Sequence, residues 1–390
     1  MTYGGHQGGH RPPPPGRRPP RGPRQQQAQM MPIPGSNRAR QAGRPPQQST
    51  RVAPRPPQPP PSRPPRPASG GGSRRRRVSF PKVLLCLVLA FVLFLGAVWL
   101  YLEFSINRTD ALPDDYEGRP PAGEGTNWLL VGSDSREGLD EEQMAKLSTG
   151  DASGKRTDTI MLVHIPDNDT KPTLLSLPRD SRVEIPGYGV NKINAAFAFG
   201  GPPLLIQTVE LATGLRIDHY AEIGFGGFAQ VVDAIGGVEM DIPQEMRDTK
   251  TGVVIPAGKQ TLDGAQALGF VRMRYSSATP RSDLDRVANQ RKFIGALANE
   301  IASPATLLNP FDVFPLLGAV PDALTLDTDD HLHNLVGLAW AMRGISSGGV
   351  ITTTVPVTSA SAESWDPAKS EALFEALRTD SPVPEDALME

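Results

Sequence analysis

Residues Val83 to Phe104, VLLCLVLAFVLFLGAVWLYLEF, carry no charge before Glu103. About 20 apolar residues in helical geometry suffice to cross the hydrocarbon core of a bilayer. The stretch is therefore read as one membrane-spanning helix, and every other segment must lie on one side of it or the other. Arg74, Arg75, Arg76, Arg77 and Lys82 precede it, while Glu103, Asp110, Asp114, Asp115 and Glu117 close it and follow it. Basic flanks stay in the cytoplasm, which places everything after about residue 105 outside the cell. A cleaved leader would have a shorter apolar core and a small-residue cleavage site, whereas Trp99 and Tyr101 stand where an interfacial aromatic belt belongs. A buried core helix would need apolar partners, and the chain before it has few to offer.

Residues 1–82 hold 21 of the 41 prolines, 17 Lys plus Arg, and no Asp or Glu. Few large apolar groups and mutually repelling charges predict a disordered cytoplasmic tail with polyproline character. Of the 40 basic residues in the chain, 23 then remain after the tail against all 42 acidic ones, a formal charge of −19 hidden inside a total of −2. The tail has no aromatic interleaving and no zinc or helix-turn-helix pattern, so no specific nucleic-acid binding is expected. Attraction to anionic lipid headgroups and docking through PxxP-like runs are the roles its composition allows. Cys86, the one cysteine, lies in the span, so no intramolecular disulfide forms and an ordinary apolar core must hold the rest.

Residues 105–126, rich in Pro, Gly, Asp and Glu, read as a linker, and a folded domain is expected over 127–378 with a polar end at 379–390. Trp128–Val131, Thr159–Ile165 and Thr173–Leu177 are apolar enough for strands covered on both faces. Lys192–Leu215, broken at Gly200, Gly201, Pro202 and Pro203, is expected to be a short segment and then a helix with Pro at its first turn. A strand follows at Tyr220–Phe225, a helix at Phe228–Ile235 and a strand at Val238–Ile242. Towards the end, helices are expected at Asp330–Ile345 and Pro367–Leu377 around a strand at Gly349–Val357. The alternation predicts an α/β fold, a three-layer α-β-α sandwich with a mixed central sheet.

Charged residues gather where these elements end. Asp134 and Arg136 follow the first strand, Arg156 and Asp158 precede the second on one face, and Arg179 and Asp180 follow the third. Arg272 and Arg274 share a face if FVRMR is extended, and Asp283, Arg286 and Gln290 form one stripe of a helix running to Ile301. Any single pair is explained by capping, helix-dipole compensation or a solvated ion pair. Five groups in one domain point further. Guanidinium forks match phosphate oxygens two at a time, so Arg156, Arg179, Arg272, Arg274 and Arg286 suit a pyrophosphate. Carboxylates beside them fit if Asp134 and Asp158 hold a hard cation such as Mg²⁺, which bridges phosphate oxygens.

The segments GSDSR, RTDTIML, SLPRDSRVEIPGYGVNKINAAFAFGG, FVRMR and DLDRVANQ, in this order behind one N-terminal span, resemble the LytR-CpsA-Psr family of cell-wall glycopolymer ligases. The resemblance is dense from Asn127 to about Ser303. It implies an actinobacterial-type phosphotransferase that takes a glycan from a polyprenyl diphosphate carrier and joins it to peptidoglycan outside the cell. It matches Asp134 and Asp158 to the family's metal ligands, and Arg156, Arg179, Arg272 and Arg274 to its pyrophosphate-holding arginines. Asp283, Arg286 and Gln290 match the polar stripe beside them. Lys192 and Asn194 of the KIN segment face the site in this reading, and Phe197, Phe199, Leu204, Leu205 and Phe228 are candidates for an apolar pocket holding the prenyl chain, or for ordinary core. Asn289 stands where many members carry another Arg.

The implied reaction is attack of a peptidoglycan hydroxyl on the sugar-linked phosphorus, with lipid monophosphate leaving. Positioning and charge stabilisation carry such transfers, so no Ser-His-Asp or Cys-His set is required. A pyrophosphatase using water, or a membrane-bound regulatory protein, are the rival readings. The spacing of His331 and His333 is poor for a metal on a helix, and Gly224-Phe225-Gly226-Gly227 is read as a turn.

Overall fold

The computed structural model describes residues 80–134, 157–249, 252–281, 283–301, 303, 305–306, 309–359 and 361–389. All of them belong to one compact unit, Arg76–Glu390. Helix α1, Phe80–Ser105, has no buried residue and is long and apolar enough to cross a membrane. The chain then forms β1 (Asn107–Thr109), β2 (Thr126–Ser133), β3 (Thr157–Ile165), β4 (Thr173–Leu177), the hairpin β5 (Arg182–Ile185) and β6 (Gly189–Lys192), and α2 (Ile193–Thr213). After β7 (His219–Gly224) come α3 (Phe225–Ala234), β8 (Val238–Ile242), β9 (Met246–Arg247), β10 (Val254–Ile255), β11 (Gly258–Leu262), α4 (Gly264–Arg272) and α5 (Asp283–Ile301). The last elements are α6 (Pro310–Ala323), β12 (Leu324–Asp327), α7 (Leu332–Met342), β13 (Ile351–Thr354) and α8 (Pro367–Arg378).

The central sheet has seven strands in the order β1-β12-β7-β2-β3-β4-β13, and it is mixed: β2 runs parallel to β7 and antiparallel to β3. Its strands alternate apolar residues to two covered faces, as period-2 geometry requires. Leu129, Val131, Ile160, Leu162 and Leu175 pack with α2 and α8, while Trp128, Met161, Val163 and Leu174 pack with residues of α7. A further apolar cluster joins α3, α4 and α5 through Val232, Phe270 and Phe293 to β8 and β11. The three-layer architecture expected from the sequence is present.

Several boundaries differ. Residues 105–126 are not a free linker: β1 pairs in parallel with β12, and Ala111 is fully buried. Polar chain is tolerated there because two buried carboxylates receive its donors. Asp327 Oδ1 accepts from the Ala111 and Leu112 N–H groups at 2.8 and 2.9 Å, and Glu210 accepts from Tyr116 Oη at 2.7 Å and from Arg119 Nε at 3.2 Å. The polar end is also packed: Asp380 accepts from the Asp167 N–H at 2.6 Å, and Val383 and Ala387 join the core. The glycine run after β7 does not form a turn but starts α3 directly. A Cβ on Gly227 would lie 2.4 Å from Ala323 Cα, so the close approach of α6 requires glycine there.

Asp327 is 1% exposed and also accepts from the Asp329 N–H at 2.9 Å. Asp327→Ala leaves buried donors unmet and is expected to cost about 3 kcal/mol. Chemical denaturation of the full chain measures this, and a loss well under about 1 kcal/mol would contradict the fastening role.

Candidate active site

The charged groups meet where β2 and β3 part. Gly132 pairs with Thr159 and Ser133 with Thr157, so Asp158 is the extra residue of a β-bulge. Bulges of this kind re-aim a side chain out of the ladder. The close strand contact depends on Gly132, since a Cβ there would sit 2.9 Å from Thr159 Cβ. Asp134 is the first residue after β2.

Asp158 is ion-paired with Arg179, which follows β4. Burial alone would push its carboxyl up, but Arg179, Arg286 and Arg274 outweigh that and hold it below the ordinary carboxylate range. The carboxylate is therefore an ionised oxygen donor and a poor proton acceptor. Arg286, near the start of α5, is 2% exposed, and Gln290 one turn later is 5% exposed. Gln290 Nε2 donates to the Val271 carbonyl at 3.1 Å, which ties α5 to the end of α4 beside Arg272. The Arg272 guanidinium lies over the Phe225 ring at 4.5 Å from its centroid.

FVRMR is not a strand. Arg272 is the last residue of α4, and the chain turns extended at Met273, which is 1% exposed and anchors the turn in the core. Arg272 and Arg274 nonetheless serve one place: Arg272 lines the cavity described next, and Arg274 acts on Asp158.

That cavity, about 300 Å³, lies between the sheet and helices α3, α4, α5 and α7. Asp158, Glu222, Arg272, Arg286 and Gln290 line it together with apolar groups, among them Phe228, Leu268, Phe293, Leu297, Leu335 and Leu338. Of the five side chains named from sequence as pocket candidates, Phe228 is the one that lines it. Phe197 and Leu205 are buried in the core on the opposite face of the sheet, with Leu204 packed against them. Phe199 is 44% exposed and stacks on Tyr188 at a centroid distance of 4.6 Å. The helical stripe that begins at Arg286 and Gln290 does signal the rest, because it continues at spacings of 3 and 4 through Phe293 and Leu297.

Lys192, Asn194 and Phe199 line a separate cleft of about 350 Å³ that shares Arg179 with the cluster. Lys192 Nζ donates to Asp180 Oδ1 at 2.6 Å, and the Asn194 N–H donates to the Arg179 carbonyl at 3.3 Å. Both therefore steady the loop that presents Arg179. Arg136 and Arg156 lie outside the described residues, as does the side chain of Asp283. Asn289 has a buried Nδ2 with no hydrogen-bond partner among the described residues. His331 caps α7 and bonds Glu103 Oε1 at 2.7 Å, a structural role.

Among the described residues no three His, Cys, Asp or Glu side chains gather into a metal cage. Asp134 and Asp158 are the carboxylates that would hold a hard cation such as Mg²⁺, whose preference for oxygen ligands they match. The depressed pKa of Asp158 favours the deprotonated form such an ion needs.

Because that pKa is depressed on folding, the stabilisation from ionised Asp158 is complete above about pH 4 and is lost as pH falls through its lower folded value. Asp158→Asn should therefore melt below the parent at pH 7, with the gap closing in acid. A gap independent of pH would contradict the charge balance.

The LytR_cpsA_psr family model matches residues 106–378. The probable cell wall biosynthesis protein LcpB of Corynebacterium glutamicum is 50% identical over 299 residues, covering 75% of this chain and 68% of that protein. The polyisoprenyl-teichoic acid–peptidoglycan teichoic acid transferase TagU of Oceanobacillus iheyensis is 39% identical over 198 residues, covering 49% of this chain and 56% of its own length. A solved LytR-Csp2A-Psr enzyme from Actinomyces oris shares the fold with a TM-score of 0.55 at 23% identity, over 70% of this chain and 96% of that one. The chain belongs to the LytR-CpsA-Psr family.

Proposed function

We propose that this protein is a membrane-anchored phosphotransferase that moves a glycopolymer from a polyprenyl diphosphate carrier to a peptidoglycan hydroxyl, with its N-terminal tail in the cytoplasm and its folded domain outside. One observation carries the reading. A single cavity combines a long apolar lining with Arg272, Arg286, Gln290 and Asp158, which is the chemistry of an amphiphile with an anionic head. The names of similar proteins, LcpB for cell wall biosynthesis and TagU for teichoic acid transfer to peptidoglycan, support the same class.

In this reading the prenyl chain lies along Leu268, Phe293 and Leu297, and Arg179, Arg272, Arg274 and Arg286 hold the diphosphate, with Arg156 from the segment before β3. Mg²⁺, when held by Asp134 and Asp158, adds positive charge beside the same oxygens. The acceptor hydroxyl attacks the sugar-linked phosphorus, the bond from that phosphorus to the bridging oxygen breaks, and polyprenyl phosphate leaves. Fixed guanidinium groups in a water-poor cavity stabilise the charge that develops without reorganising. Asp158 is held below the ordinary carboxylate range by its arginines and is a poor proton acceptor; Asp283 is the candidate base in this reading, and Mg²⁺ held at the site would lessen the need for a strong one.

The test uses the full chain in detergent with a glycosyl polyprenyl diphosphate, a peptidoglycan oligomer and Mg²⁺, and mass spectrometry for a phosphodiester adduct. The adduct is expected to form, to disappear with a chelator, and to fall about 10²- to 10³-fold in kcat/KM with Arg272→Ala. Lipid phosphate released without adduct would indicate a pyrophosphatase instead. Removing residues 1–73 should leave the reaction unchanged, where a regulatory role of the tail predicts loss of function. Leu297→Trp, which fills part of the cavity, should raise KM for a long-chain donor more than for a short one, and equal effects on both would contradict the placement of the chain.

A further inference from the structure

Helices α6 and α7 contain no Lys or Arg, and each turns large apolar groups to the outside. Phe311 is 84% exposed and Phe314 59%, on one stripe of α6, while Val336 and Trp340, one turn apart on α7, are 52% and 68% exposed. Soluble surfaces rarely present such groups together without a partner. Both helices contact α1, whose Phe104 is 81% exposed. The junction is tied by hydrogen bonds: Glu103 Oε2 accepts from the Leu332 N–H at 2.9 Å, Arg108 Nη1 donates to the Glu103 carbonyl at 2.7 Å, and Asn107 Nδ2 donates to the Pro321 carbonyl at 3.2 Å. The patch is thus continuous with the helix that is long and apolar enough to cross the bilayer, and it is fixed relative to that helix.

We propose that α6 and α7 form a second membrane contact, lying in the interfacial region of the outer leaflet beside the end of α1. The occupant is lipid, for three reasons of chemistry and place. The patch adjoins a membrane-spanning helix. The outward groups of its helices are mostly apolar, with Asp312 and Asp322 of α6 the acidic side chains among them. Trp340 covers the Arg343 guanidinium at 3.7 Å, an aromatic and a cation set side by side as they are at headgroup depth. The inward side of α7 supplies Leu335 and Leu338 to the apolar cavity, so one helix would separate that cavity from the bilayer. The proposal stands on the position of α1 and not on which reaction the site performs.

The experiment uses the full chain with Cys86→Ala and a single cysteine placed at Phe314, Trp340 or Val190, the last a 57% exposed residue of the β5–β6 hairpin. Each variant is labelled with an environment-sensitive fluorophore and reconstituted into nanodiscs of phosphatidylcholine and phosphatidylglycerol, with or without shallow doxyl lipid. Emission at 314 and 340 is expected to shift to the blue and to be quenched several-fold more strongly than at 190. With the reporter at 340, the triple change Phe311→Ser, Phe314→Ser and Val336→Ser, all at exposed positions, should lower that quenching several-fold. Equal quenching at all three sites would overturn the proposal, as would quenching at 340 that the triple change leaves untouched. Blue-shifted but unquenched emission from discs holding two chains would assign the patch to a second copy and overturn it equally.

Discussion

A guanidinium buried beside hydrocarbon is tolerable only where an opposite charge and hydrogen bonds balance it. Arg286 is such a group, and the rest of the site is arranged around meeting its demand. Asp158 supplies the negative charge from a bulge that Gly132 makes possible, Arg179 reaches the same carboxylate from the end of β4, and Arg274 acts on it from beyond α4. Asp158 and Glu222 line the cavity with Arg272 and Arg286, while Arg179 and Arg274 act on Asp158, so the charged groups gather at one part of a cavity that is otherwise largely apolar. Guanidinium groups beside an apolar lining are the feature on which the proposed amphiphile with an anionic head rests. The same gathering also explains why sheet and helices cannot vary independently here, since each contributes one member of the cluster.

The apolar helix is part of the same construction. From Ser105 the chain passes within two residues into β1, an edge strand of the central sheet, so little slack separates the apolar helix from that sheet. The edge strand is short and would pair weakly by itself. Asp327 and Glu210 compensate by drawing the following 105–126 stretch onto the domain. In the proposed function, the distance of the site from the bilayer would then be set by covalent geometry and hydrogen bonds rather than by a flexible tether.

Much of this was legible in the residues. Strands β3 and β4 appear as apolar runs because both faces are covered, and α5 shows its polar stripe because period 3.6 puts Arg286 and Gln290 together. Asp134 and Asp158 read as neighbours because they sit at the facing ends of antiparallel strands. The misses have a common cause. β1 and β12 are too short to display a period, and the chain after β1 is fastened by Asp327, far along the sequence. The cavity lining comes from four helices whose order in sequence says nothing of their meeting, so Phe197 and Leu205, equally apolar, were indistinguishable from Phe228. FVRMR has the alternation of a strand, yet burial of Met273 and Phe270 is satisfied equally well by a helix end and a turn.

The central claim is that the prenyl chain occupies the cavity while its diphosphate rests on the arginine cluster. The most direct measurement is photocrosslinking of the full chain with a polyprenyl diphosphate carrying a diazirine in an isoprene unit near the head, followed by peptide mapping. Adducts on the α4 and α5 segments around Leu268, Phe293 and Leu297, competed away by unlabelled carrier and reduced by Arg286→Ala, are what the account requires. Adducts confined to the outward faces of α6 and α7, with none from the cavity, would contradict it.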